Sequence, residues 1–274
     1  MRAGNPVSSR SRRSLVRLVL GISLVTMACG GDTYDDSRMK SLGSEGEKAL
    51  ALIAVHGGMD AYLALADLEY RVAVQRFDAT GALAATYEEV HRFPVAPPRR
   101  YALRRTGQQV LELGQGADQR IWSRIDGMAR GGELGEAAAF QDVWLRSVLS
   151  RAPFCLADED VKLAIGPDGV TLTATWPAGP DGNERTAVFF TDAASGRLER
   201  VVLQDPGMIL GALMQSAAVR STTDYQGLSL VDGWSLSTTQ VVDGQAGMPH
   251  LAWKIEQIRS DNGFTERLYE LDTP

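Results

Sequence analysis

A mainly β chain with inserted helices (α+β), built as one large antiparallel sheet curled around its own helices, is the fold this sequence predicts. Three observations carry that prediction. From Asp67 onward the dominant apolar period is two, and runs of that period recur at short intervals as far as Arg259. Tight turns such as Ala79-Thr80-Gly81 and Ala194-Ser195-Gly196 join consecutive runs, and strands joined so closely pair antiparallel, because parallel pairing needs long crossovers. No linker or composition shift divides residues 44–274, so the strands belong to one domain whose apolar sheet face has to be covered.

In chain order, residues 1–28 read as a signal peptide. Arg2, Arg10, Arg12, Arg13 and Arg17 form a basic start with no acidic residue among them. The apolar run Leu18–Ala28 is too short to span a bilayer and ends in small residues. Ser11-Arg12-Arg13-Ser14-Leu15 also has the look of a twin-arginine export signal, so the Sec and Tat routes both stay open. Leu24, Val25, Ala28 and Cys29 resemble the lipobox of bacterial lipoproteins, with Thr26 standing where leucine is usual. That resemblance implies lipidation of Cys29 and a stable membrane anchor, since several acyl chains hold where one is marginal. The alternative is an ordinary signal peptide with a chance cysteine nearby.

Residues 29–43 are polar and aperiodic and read as a flexible tether. Ser44 then opens a short helix through Val55, with Ser44 as N-cap and Glu47 completing a capping box. His56-Gly57-Gly58 reads as its C-cap, the glycines supplying positive φ and His56 complementing the negative end of the helix dipole. Strands follow near Asp67–Gln75, Leu83–Phe93, Arg100–Arg105, Gln109–Leu113 and Arg120–Ile125. A helix over Glu136–Ser150 carries Phe140, Val143, Trp144 and Val148 at helical spacing, and Pro153 closes it. Strands resume at Val170–Trp176, Arg185–Thr191 and Arg197–Gln204. A short apolar helix is expected over Met208–Ser216, before strands near Val219–Tyr225, Trp234–Val242 and Leu251–Arg259.

Asp224-Tyr225 followed by Val231-Asp232-Gly233 resembles the strand–turn–strand signature of bacterial outer-membrane lipoprotein-sorting (LolA/LolB-type) carriers. The closing WKIEQIRSDNGFTERLYEL is similar to their last strand and tail, and Gly57-Gly58 with Tyr62 fits the same group. No proline follows the Asp-Gly pair, where relatives usually have one. The resemblance implies an open half-barrel over residues 44–274 whose concave face holds helices and an apolar cavity for acyl chains. It further implies an envelope lipoprotein tethered through Cys29. Gly30 after Cys29, in lipoprotein-sorting logic, points to the outer membrane, facing the periplasm.

Composition narrows the partners. The formal charge is −6, and losing the five arginines of the signal takes it to −11. A chain this acidic repels phosphate backbones, so nucleic acid is excluded as a partner. No cofactor or metal motif occurs: the three histidines, His56, His91 and His250, lack HExxH or HxH spacing. Cys155 reads as a buried small hydrophobe. No Gly-x-Ser-x-Gly elbow exists, and Glu88-Glu89 point to opposite faces of a strand. Asp158-Glu159-Asp160 reads as a solvated loop. His91 shares strand parity with Tyr87, Glu89 and Phe93, a face that lines either a cavity mouth or the half-exposed side of a sheet.

Trp144, Met208, Ile209, Leu213 and Met214 are the candidate ligand-lining residues, with core packing as the alternative for the methionine-rich segment. The function expected is a non-catalytic envelope lipoprotein that binds or carries acyl chains or lipids. A structural or assembly partner of another envelope protein is the second reading. A hydrolase built around His56 is the third.

Overall fold

The computed structural model describes residues 34–97, 100–116, 120–129, 133–179, 182–205, 213–239, 247 and 249–269. Helices α1 (Ser37–Ser41), α2 (Ser44–Val55) and α3 (Met59–Leu63) come first. Strands β1 (Asp67–Phe77), β2 (Leu83–Pro94), β3 (Tyr101–Thr106), β4 (Val110–Gln115), β5 (Ile121–Ile125) and β6 (Met128–Ala129) follow. Helix α4 (Glu133–Arg151) leads to β7 (Lys162–Ile165), β8 (Leu172–Trp176), β9 (Arg185–Thr191), β10 (Leu198–Asp205), β11 (Leu213–Tyr225), β12 (Leu228–Thr239) and β13 (Pro249–Ser260).

Among the described residues these strands form a single antiparallel sheet in the order β6-β5-β4-β3-β2-β1-β13-β12-β11-β10-β9-β8-β7. The chain meanders outward from β1 to the edge at β6, crosses to the far edge at β7, and meanders back until β13 pairs with β1. Helix α4 is that crossover. The sheet stays open, so the expected curved half-barrel is the observed fold.

One face of the sheet is apolar and carries the helices. On β1, Leu68, Tyr70, Val72 and Val74 are buried, while Arg71 and Gln75 on the other face are exposed. The same parity buries Phe93, Tyr101, Leu103 and Leu113 on the neighbouring strands, and Trp234, Leu236, Trp253 and Ile255 beyond β1. Helix α4 adds Val143, Leu145, Val148 and Leu149, each contributing about 1.5–3 kcal/mol by burial. Two-residue turns at Asp126-Gly127 (φ 51° and 81°) and Gln226-Gly227 (φ 50° and 83°) close the hairpins β5–β6 and β11–β12.

Several sequence expectations are corrected. The N-cap of α2 is Gly43 (φ 66°), not Ser44, whose hydroxyl instead donates to Glu45 at 3.0 Å. Helix α1 ends only at Ser41, so the chain has to reverse within two residues, and glycine supplies that turn. Residues 34–43, expected to be tether, contain α1, and Met39 is fully buried. Residues 213–216 are not helical but open β11, pairing with β10 from Leu213↔Asp205 to Ser216↔Val202. Val231-Asp232-Gly233 lies inside β12, where a register irregularity sets Gly233 opposite Ser221. The turn falls at Gln226-Gly227 instead. The signal peptide, Cys29, Met208 and Ile209 lie outside the described residues.

Candidate functional site

Helix α4 lies against the buried face of β3, β4, β5 and β10, and a polar seam runs beneath it. Strand β2 places Glu89 and His91 on that face by alternation, and β3 places Arg105 opposite Glu89 in register. On α4, Asp142, Arg146 and Ser150 recur every fourth residue and therefore share one stripe.

These side chains interlock. Arg146 donates to Glu89 through Nε and Nη2, both at 3.0 Å, and Arg105 Nε donates to Glu89 Oε1 at 2.8 Å. Arg146 also donates to Asp142 at 2.7 Å, and the Arg105 guanidinium stacks 4.9 Å from the Tyr87 ring. Two guanidiniums thus balance two carboxylates, the arrangement that makes buried charge tolerable. Burial pushes the Glu89 carboxyl up, but the Arg146 guanidinium and the His91 hydrogen bond outweigh it and hold Glu89 well below the usual carboxylate range. Burial lowers the His91 pKa, against the upward pull of Glu89, so the imidazole is neutral.

Proton positions follow from those two charge states. His91 donates from Nε2 to Glu89 Oε2 at 2.8 Å, which leaves Nδ1 to accept from the Ser150 hydroxyl at 3.1 Å. Tyr101 then donates to Ser150 at 3.3 Å. A serine, a histidine and a carboxylate in a row resemble a hydrolytic triad in connectivity. Here Glu89 and His91 are fully buried and Ser150 is 6 % exposed, so the row orders protons inside the core. Of the two readings open for the His91 face, neither holds: it is interior, because α4 covers it.

Two further contacts hold α4, one at Phe140 and one at its C-terminal Arg151. The Arg185 guanidinium on β9 sits 4.2 Å from the Phe140 ring and donates to Asp205 at 3.1 Å. Arg151 pairs with Asp158, so the expected solvated loop at Asp158-Glu159-Asp160 has its first carboxylate engaged and the other two residues exposed. Cys155 is buried in the core as expected.

Trp144 is buried on α4 and meets Trp176 edge-to-face at 5.9 Å. Met214 is half-buried on β11 opposite Gln204, with the parity of the uncovered face, so Trp144 and Met214 are not brought together. Leu213 opens the same strand opposite Asp205. The covered face instead gathers buried polar atoms with no hydrogen-bond partner: Tyr70 Oη, Trp144 Nε1, Trp234 Nε1 and Trp253 Nε1. Trp234 and Trp253 face each other across β12 and β13, and Trp253 meets His91 edge-on at 5.3 Å. Such atoms cost about 1–3 kcal/mol each unless something pairs with them. Of this set the sequence singles out Trp144 alone; Tyr70, Trp234 and Trp253 look like any other core aromatic in a strand.

His56 caps α2 as expected, but as a neutral ring. Burial lowers its pKa, Nδ1 donates to the Ser229 carbonyl at 2.7 Å, and Nε2 accepts from the Leu198 N–H at 3.2 Å. The ring therefore pins α2 to β10 and β12, and it brings no positive charge to the helix end. Among the described residues no group of three or more His, Cys, Asp or Glu is placed to hold a metal ion.

No protein-family model matches the chain, and no curated protein matches its sequence. The chain is similar to solved structures at low identity. A DUF1329 family protein from Desulfovibrio piger has a TM-score of 0.48 at 10% identity, covering 82% of this chain and 97% of that one. A domain described as an outer membrane lipoprotein-sorting protein from Vibrio parahaemolyticus has a TM-score of 0.46 at 12% identity, covering 81% and 94%. At these identities no residue role is carried across.

Proposed function

We propose that this protein is a lipid-anchored module of the bacterial cell envelope that binds acyl chains between its sheet and α4, without a catalytic step. The observation that carries the reading is a set of buried donors on the covered face, beside the polar seam, that have no hydrogen-bond partner: Trp144, Trp234 and Trp253 N–H and the Tyr70 hydroxyl. An acyl ester or amide brings the carbonyl acceptors these groups lack. Its methylenes add about 0.8 kcal/mol each when buried. Because the interior side chains are packed, binding requires α4 to swing away from the sheet, with the Arg146–Glu89 pair reforming when it returns. The lipobox-like Leu24–Cys29 supports anchoring at a membrane, with Gly30 favouring the outer one.

The test is saturable binding of a fluorescent fatty-acyl ester to the full-length protein. Trp253→Phe keeps an aromatic ring and deletes the N–H, so it should weaken ester binding several-fold with the fold intact. No saturable binding to the unsubstituted protein would sink the proposal.

A further inference from the structure

On the opposite face of the sheet, alternation places Arg92 of β2, Arg104 of β3, Glu112 of β4, and Trp122 with Arg124 of β5 side by side. They line a cavity of about 170 Å³. The C-terminal segment roofs it. Trp122 Nε1 donates to the Tyr269 carbonyl at 2.8 Å, and Arg100 pairs with Glu266 at 2.7 Å. Those two ties bring Arg267 over the strands, where it also lines the cavity. Trp122 lies against Gly114, where a Cβ would come within 2.3 Å of the indole, so glycine is what lets the ring form the cavity floor.

The charges do not balance. Arg92 is held by Glu69 at 2.7 Å, and Arg104 stands 3.9 Å from Glu112. Arg124 rests 5.6 Å from the Trp122 ring, and neither it nor Arg267 forms an ion pair with a described residue. Among the described residues, Glu69 and Glu112 leave two of these four arginines without a carboxylate, on a chain whose net charge is −6. Guanidinium forks match the oxygens of phosphate, and a cavity this size has room for about five water-sized groups, enough for a phosphate.

We propose that this pocket binds a phosphate group, carried either by a soluble phosphate or by a lipid headgroup. The proposal is independent of acyl binding on the covered face. Arg124 and Arg267, which form no ion pair with a described residue, supply the contacts, and Arg92 and Arg104 supply the field.

The experiment titrates the full-length protein with inorganic phosphate by calorimetry. In parallel it measures cosedimentation with phosphatidylcholine vesicles with and without phosphatidic acid. The variants are Arg124→Gln/Arg267→Gln and the charge-matched control Arg71→Gln/Arg220→Gln, whose exposed arginines lie outside the pocket. Binding of either probe should weaken about tenfold or more in the first variant and hold in the control, with both variants folded by circular dichroism. Phosphate binding without vesicle binding identifies a soluble ligand; pocket-dependent binding to phosphatidic acid identifies a headgroup. If neither probe binds, or if the pocket variant binds like the control, the proposal is overturned.

Discussion

Arg146 grips Glu89 with two hydrogen bonds of 3.0 Å, and through that pair the crossover helix is bolted to the second strand. The pair is interior on both sides, and Arg105 and His91 complete the coordination of the carboxylate. Removing Arg146 leaves two carboxylates, Glu89 and Asp142, on the single guanidinium of Arg105. Arg146→Met should therefore cost about 3–5 kcal/mol of stability in urea unfolding. Adding Glu89→Gln to it should recover part of that loss, because one carboxylate, Asp142, then faces the one remaining guanidinium. A loss under 1 kcal/mol in the single variant would show that α4 is held by its apolar side alone.

Acid should weaken the protein in two stages. His56 and His91 have folded pKa values lowered by burial, so below about pH 6.5 the unfolded chain binds protons that the folded one refuses. Stability is then full above that pH and falls below it. Glu89 is also depressed when folded, so its contribution is present above about pH 4.3 and is lost as pH drops toward its lowered value. Urea midpoints measured from pH 8 to 3 should be level, then decline, then decline more steeply. His56→Gln should lessen the first decline, leaving the share of His91, and Glu89→Gln should lessen the second.

Gly57 and Gly58 differ in a way substitution can read. Both have positive φ, 110° and 85°. A Cβ on Gly57 would sit 2.6 Å from the Gly227 carbonyl oxygen and 2.9 Å from Leu228 Cα, whereas one on Gly58 meets open space. Gly58→Ala should cost about 1 kcal/mol, from backbone strain. Gly57→Ala should cost more, because β12 must move as well. Equal losses would mean the hairpin at Gln226-Gly227 yields freely.

Trp144 packs edge-on against Trp176 at the α4–sheet contact. Trp144→Ala should cost about 3–5 kcal/mol. Trp144→Phe should cost much less, since it keeps a ring and removes a buried N–H that has no partner. The two variants compared by thermal unfolding separate packing from hydrogen bonding at that residue.

How far the sequence carried this follows from what kind of signal each feature leaves. Strand alternation is local, so β1, β2, β8 and β9 were legible nearly to the residue. The turn at Ala194-Ser195-Gly196 was legible for the same reason, with Asp192 capping Ser195 at 2.8 Å. Residues 213–216, the described end of the expected Met208–Ser216 helix, are strand; a buried strand and a buried helix look alike over so few residues. Gln226-Gly227 was passed over for Asp232-Gly233, the commoner turn pair, although pairing with β11 keeps the latter inside a strand. The seam was half visible: Glu89 and His91 were noted on one face, but Asp142, Arg146 and Ser150 went unread as a stripe because the apolar side of α4 defined the helix. The pocket formed by Arg92, Arg104, Arg124 and Arg267 joins residues far apart in the chain. Only the strand order brings them together.

Acyl binding is measured most directly by native mass spectrometry of the full-length protein purified gently from its host, before and after delipidation. Acyl binding predicts a non-covalent lipid mass that delipidation removes and an added fatty-acyl ester restores, with the restored fraction several-fold lower in Trp253→Phe. A protein that carries no lipid and takes up no ester, while remaining folded, would contradict the account.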